Sequence, residues 1–546
     1  MSTRILRHIA SIGSLLLLNG LLSFTSWWPT IAVKPDTRIA PEFSILVVLL
    51  SLAIAVGKPP SRRMLKWLAG FYLLLIVGRY VDVVAPSLFG RAISLYWDVP
   101  QLPRFIWVTV TGSPWWFTLL AASGICTAVY AFHQLLLICM QNLMDTLASI
   151  SKHQTRHAAL WAAYIPLSLL IGANYAGVQA TWPYVSKPVV PTYLREAGVV
   201  MDALMPERAN RLLPRSKVID EALQNTAPDN LRALKQRDVM LLFLESHGAV
   251  LYDNANFATG VSQSLSQLEN SIRTSGNAVM SAFFTSATIG GASDLAHLSL
   301  LSGIDLSDPR RHDLLLTTKR PTLMTVFKRA GYDIYGVYHS VRWDWVERSY
   351  YGFDTYLSGP DLNYTGPEFG FWKIPDQFAM AKLEQLHPRS PSTPPRLTIM
   401  STMSTHFPFV PVPPYQADWQ RVLGEAAFDE RDVHKAQAQQ VNWLDMGPDY
   451  IRTINYAHNW LSGWFEQPPM REQIVIMVGD HQPTSNIAGE GAPWDVPVYV
   501  VTRDASLLQS LRKAGFSDGM RPVQRTPLGG LHDLTAVLMR VFRGHE

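Results

Sequence analysis

A chain of 546 residues is too long for one typical domain, and with 48% hydrophobic against 16% charged residues it is more apolar and less charged than an average soluble protein. Two cysteines exclude a disulfide-stapled fold, and a formal charge of +4, with no basic tract interleaved with aromatics, gives no case for a nucleic-acid partner.

The apolar excess lies before about residue 180. Five segments there read as membrane spans, at about 9–28, 39–57, 66–85, 114–139 and 158–178, so residues 1–180 are expected to form a five-helix transmembrane domain. Arg4 and Arg7 precede the first segment, Lys58, Arg62, Arg63 and Lys66 separate the second from the third, and Lys152 and Arg156 precede the fifth. Positive loops stay in the cytoplasm, and an odd number of spans then carries the rest of the chain across the membrane. Arg79 and Asp82, three residues apart in the third segment, share a helical face near its outer end, either as a headgroup or outer-domain contact or as an interfacial ion pair. Cys126 and Cys139 both fall in the fourth segment, which leaves the remainder to be stabilised by its core alone.

Residues 181–236 are punctuated by Pro183, Pro188, Pro191, Pro206 and Pro214 and read as an amphipathic linker on the outer membrane face. The pattern then changes. Strand-like runs occur at Val239–Leu244, Val279–Phe284, Ile334–Tyr338, Leu397–Met400, Ile474–Val478 and Val496–Val500, with helical stretches such as Thr322–Ala330 and Asp449–Phe465 between them. Strands alternating with helices predict an α/β domain over 237–546 with a mainly parallel sheet.

Chemistry collects at strand ends. The first run ends in Glu245 (MLLFLESHG), and the fifth ends in Gly479, Asp480 and His481 (IVIMVGDHQP). Ligands bind outside the carboxyl ends of strands in such sheets. After the second run, Gly290 and Gly291 make a tight turn into the helix of SDLAHLSLLSG, with Ser293 expected at its N-cap, where the helix end favours an anionic group. Two carboxylates and an imidazole facing this hydroxyl suit one divalent cation, zinc or manganese, that would lower the pKa of Ser293 and polarise a bound phosphoryl or sulfuryl oxygen.

Glu245, the SDLAHLSLLSG helix, His406 in STHFPF, and Asp480–His481 in GDHQP resemble the alkaline phosphatase and sulfatase superfamily. STHFPF and GDH, together with the five preceding spans, are especially similar to its membrane branch of lipoteichoic acid synthases and phosphoethanolamine or phosphoglycerol transferases. The resemblance implies that Glu245, Asp480, His481 and the Ser293 oxygen are metal ligands. It also implies that His406 contacts the substrate or protonates the leaving group, and that Arg348 or Trp345 lies near the phosphate. His339 is a second candidate for substrate binding, and packing is the alternative for His339 and Trp345. GGLHDLTAVLMRVF at 529–542 resembles the closing helix of that fold.

The lipoteichoic acid synthase branch carries a threonine nucleophile in Gly-x-Thr-Ser-Asp, and Ala292 holds that place here. Counting back instead from Ser302–Gly303, as the resemblance to soluble sulfatases and phosphatases allows, places the nucleophile on Ser293, since Ala292 supplies no ligand atom. Sulfatases proper modify a Cys or Ser in Cys/Ser-x-Pro-x-Arg, and the stretch Ser293–His297 has neither that proline nor that arginine. The expected protein is a multi-pass bacterial inner-membrane transferase with a periplasmic catalytic domain. It would move phosphoglycerol or phosphoethanolamine from a phospholipid donor, through a covalent serine intermediate, to an envelope glycan or glycolipid. A phosphodiesterase or phosphatase using water, and an inactive scaffold of a glycan synthase, are the alternatives.

Overall fold

The structure is a computed structural model. It describes the chain apart from residues 1–2, 28–30, 90–92, 94, 100–101, 104–105, 107–109, 111–113, 152–184, 206–212, 225–229, 317, 343–344, 346–347, 371–372, 389–392, 468–471 and 545–546. The backbone forms two compact units, Met1–Leu204 and Met205–Glu546. The stretch read as a linker falls on both sides of that boundary: a helix at Val190–Leu204 belongs to the first unit and another at Lys217–Gln224 to the second.

The first unit is helical: α1 (Thr3–Ser23), α2 (Pro41–Ala55), α3 (Arg62–Phe89) and α4 (Trp115–Ser151). Residues 62–85 and 115–149 are long and apolar enough to cross a membrane, whereas α2 and the apolar part of α1, Ile9–Ser23, are shorter. The expected fifth span, 158–178, lies outside the described residues. Leu18, Leu22, Leu50, Ala69, Tyr72, Leu136 and Met140 pack together, while Leu16, Leu49, Trp67, Phe71 and Leu120 point outward and are exposed. Exposed apolar side chains in that number mark a surface that meets something other than water. Arg79 is buried and donates to the Phe24 carbonyl at 3.1 and 2.9 Å, and Asp82 lies 3.3 Å from Lys187 Nζ.

The second unit is built on an eight-stranded sheet. In chain order the strands are β1 (Asp238–Leu244), β2 (Ala278–Thr285), β3 (Asp333–Tyr338), β4 (Thr355–Ser358), β5 (Arg396–Ser401), β6 (Gln473–Gly479), β7 (Asp495–Thr502) and β8 (Ser517–Asp518). They lie side by side as β8-β2-β7-β6-β1-β5-β3-β4. The pairings β6-β1, β1-β5, β5-β3 and β3-β4 are parallel. Those of β7 with β6 and β2, and of β8 with β2, are antiparallel, so the sheet is mixed, with only β7 and β8 reversed. Each of the six expected runs lies within one of these strands. The short edge strands β4 and β8 were not expected.

All seven residues of β1 are buried, as a central strand covered on both faces requires. Met240, Leu242 and Leu244 face a core with Leu265, Leu268 and Ile272 of α5 (Ala255–Thr274), Phe378 of α6 (Asp376–Leu386) and Trp460 and Leu461 of α7 (Gly447–Glu466). The Phe243 ring instead stacks on His297, which lies in the helix Ser293–Ser302.

Register sets up the site. Leu244 is level with Gly479, so the next residues, Glu245 and Asp480, leave the sheet side by side. Gly479 permits this because a Cβ there would overlap the His247 carbonyl oxygen, a backbone atom that cannot swing aside. Gly479→Ala is therefore expected to lower stability by about 1–3 kcal/mol, the usual cost of overpacking. Denaturant unfolding of the full chain, compared with wild type, measures this.

Candidate metal and phosphoryl site

Three strand ends and one turn converge on a buried pocket. Glu245 follows β1, and its backbone is held on both sides: its N–H donates to Thr402 Oγ1 at 3.0 Å, and Thr405 Oγ1 donates to its carbonyl at 2.6 Å. Asp480 follows β6. Its Oδ1 accepts from the backbone N–H groups of Ser246 at 2.8 Å and His481 at 2.6 Å, while Oδ2 is buried with no hydrogen-bond partner among the described residues. His481 Nδ1 faces the Gln482 carbonyl at 2.7 Å. With its proton on Nδ1, the ring turns the Nε2 lone pair into the pocket.

The fourth wall is the turn after β2. Gly290 N–H donates to the Gln482 carbonyl at 3.0 Å, pinning the turn against the Asp480–His481 loop. Gly290, Gly291 and Ala292 have φ of 68°, 135° and 59°, three left-handed residues in succession. Glycine adopts this freely, whereas Ala292 is strained by about 1–2 kcal/mol. The reversal also shifts the expected cap by one residue. Ala292 takes the N-cap place, with no side-chain cap bond, and Ser293 is the first residue of the helix. The Ser293 hydroxyl instead donates to Glu245 Oε2 at 3.1 Å and lies 3.2 Å from His481 Nε2.

The charges are those of a pocket built for a cation. Burial alone would raise the Glu245 pKa, but His481 and His406, with hydrogen bonds from His481 and Ser246, hold it well below the usual carboxylate range. Burial and the Glu245 charge push Asp480 up. Burial opposes an imidazolium at His481, yet Asp480 and Glu245 outweigh it and push that pKa up to about 9. Glu245, Asp480 and His481 each offer a donor atom within 4.8 Å of the others, all buried. Two carboxylates and a neutral imidazole, with one orphaned carboxylate oxygen, fit a divalent ion, whose charge would relieve the repulsion that forces Asp480 upward.

The other expected residues lie around this centre in different ways. His406 is half-buried, with Nδ1 2.6 Å from the Phe407 carbonyl. His339 is fully buried, with Nε2 2.9 Å from Asp376, whose carboxylate accepts the Met403 and Ser404 N–H groups. Trp345 is buried in an aromatic cluster, its ring centroid 4.9 Å from those of Tyr338 and Tyr351. Arg348 is exposed, its guanidinium over the Tyr356 ring at 5.3 Å. Sequence reasoning missed His297, which is buried with its Nε2 3.9 Å from Asp480 Oδ2. Burial holds its pKa down to about 3. Its spacing of four from Ser293, one helical turn, was the available signal.

The family model described as Sulfatase matches residues 237–497. Over these residues the chain is similar to that family. The match begins one residue before β1 and includes Glu245, Ser293, His406, Asp480 and His481. Solved structures similar to the chain include lipoteichoic acid synthase LtaP from Listeria monocytogenes, at 15% identity and a TM-score of 0.38, over 60% of this chain and 78% of that one. The zinc complex of the C-terminal periplasmic domain of EcEptC from Escherichia coli is similar at 14% identity and a TM-score of 0.34, over 50% and 73%. The Streptococcus pyogenes phosphoglycerol transferase GacH in complex with sn-glycerol-1-phosphate is similar at 11% identity and a TM-score of 0.34, over 61% and 94%. No curated protein matches the sequence.

Without a metal a proton occupies His481 below about pH 9, and a metal must displace it. Affinity for zinc or manganese should therefore rise by about tenfold per pH unit from pH 7 toward 9, with about one proton released per ion. Calorimetric titration in buffers of different ionisation enthalpy counts that proton, and a pH-independent affinity would contradict the pairing.

Proposed function

We propose that the chain is a metal-dependent transferase. It would take a phosphoglycerol or phosphoethanolamine headgroup from a phospholipid, hold it on Ser293 and pass it to an envelope glycan or glycolipid. The observation that carries this reading is the Ser293 hydroxyl, 3.1 Å from Glu245 and 3.2 Å from His481 in the pocket that would hold zinc or manganese. When bound there, the ion supplies Lewis-acid polarisation of the phosphoryl oxygens and lowers the pKa of the serine.

The residues divide the work. Ser293 gives its proton to solvent, from which His406 is later reprotonated, and its oxygen forms a bond to phosphorus as the bond from phosphorus to the diacylglycerol oxygen breaks. His406 gives the departing oxygen a proton. An acceptor hydroxyl then displaces Ser293, returning one proton to the serine and leaving a new phosphodiester. Glu245, Asp480 and His481 hold the ion, and Arg348, Trp345 and His339 border the substrate. Ala292 is poorly suited to be replaced by a threonine nucleophile, because a β-branched residue resists the φ of 59° found there.

Two features support a lipid donor. Residues 62–85 and 115–149 are long and apolar enough to span a membrane. Trp443 and Leu444 are 65% and 86% exposed, the only consecutive large apolar pair that open among the described residues of the second unit, and the Trp443 ring lies 6.0 Å from that of Phe407, next to His406. In this reading the chain sits in the bacterial inner membrane with five spans and a periplasmic catalytic domain.

The test is full-length protein in detergent with headgroup-labelled phospholipids. Wild type should carry label on Ser293, read by peptide mass spectrometry. Ser293→Ala should lose label and transfer by about a thousandfold or more while keeping its metal, and Ala292→Thr in that background should not restore them. Wild-type transfer by Ser293→Ala would overturn the mechanism. Label released only as free phosphoalcohol, with no glycan modified, would point to the hydrolase instead.

A further inference from the structure

His297 has no role in the ligand set described above, yet its surroundings are those of a working residue. It is 2% exposed, on the helix that Ser293 begins and one turn further on. Its ring stacks on Phe243, with centroids 3.9 Å apart and planes at 27°, which fixes its tilt. Neither ring nitrogen has a hydrogen-bond partner among the described residues. Nε2 lies 3.9 Å from Asp480 Oδ2, which is itself buried, has no hydrogen-bond partner among the described residues and lies 3.8 Å from His481 Nε2. Two buried polar atoms facing each other without a hydrogen bond are costly, since burial removes hydration that no partner replaces.

The two atoms complement each other. A neutral imidazole has one N–H to give, and a carboxylate oxygen has two lone pairs, one for an ion and one for a donor. Asp480 Oδ1 already accepts two backbone N–H groups, so Oδ2 is the oxygen left to face a metal. A shift of less than 1 Å brings Nε2 into hydrogen-bonding range of it. Ligating carboxylates in metal sites are commonly held by such a donor.

We propose that His297 is a positioning residue of the metal centre: its Nε2–H holds the Asp480 carboxylate in the rotamer that presents Oδ2 to the ion. Because Ser293 and His297 belong to one helical turn, the same segment then carries the hydroxyl and orients the carboxylate. This inference rests on the divalent-metal reading of the pocket.

The test is metal affinity, measured on the full-length protein in detergent by competition of Zn²⁺ and Mn²⁺ with a chelator. His297→Phe keeps an aromatic ring against Phe243 but donates nothing, so affinity should fall by about 10- to 100-fold. The thermal midpoint of the metal-free variant should hold or rise, because two orphaned nitrogens are removed. His297→Gln, which can donate from a similar position, should recover part of the affinity. Unchanged affinity in His297→Phe would overturn the proposal and leave His297 a packing residue. Should that variant not fold, His297→Leu against His297→Gln makes the same comparison, and equal affinities overturn it. Wild-type protein that binds neither ion would sink the metal reading itself.

Discussion

Parallel pairing of β1 with β6 brings two carboxylates out of the sheet at the same level, and the rest of the site follows from that proximity. Leu244 is level with Gly479, so Glu245 and Asp480 emerge into one buried pocket. Two carboxylates cannot both ionise there without help. Part of the help is local: Ser246 and His481 N–H groups take one Asp480 oxygen, and His481 faces Glu245. The remainder would fall to a cation, which Glu245, Asp480 and His481 could hold.

The hydroxyl reaches that pocket through strain in the chain. A left-handed Ala292 following two left-handed glycines turns the segment after β2 back toward His481. Strain of this kind persists where surrounding bonds fix it, and here the Gly290 N–H to Gln482 bond and the Thr288 hydroxyl to Gly291 carbonyl bond do so. Ser293 is thereby held against two of the three charged residues while remaining partly open to solvent.

Much of this was legible in the linear chain. The central strands are runs of Val, Ile, Leu and Phe ending in Glu or Gly-Asp-His, and such runs can be read because burial on both faces leaves no polar interruptions. The edge strands β4 and β8, four and two residues long, carry no such signal. Helix α5 escaped because Ser, Gln and Asn fill much of its length and its buried face is spread over Phe257, Val261, Leu265, Leu268 and Ile272. Ser293 was identified by type and misplaced by one position, since nothing in an alanine announces a positive φ. His297 passed as an ordinary helix residue because its meaning depends on Asp480, more than 180 residues away.

Anomalous diffraction from crystals of the full-length protein, recorded at the zinc and manganese edges, addresses the metal centre most directly. One peak within bonding distance of Glu245, Asp480, His481 and the Ser293 oxygen is the expected result. A metal bound elsewhere, or none in this pocket at full occupancy of the protein with added ion, would contradict it.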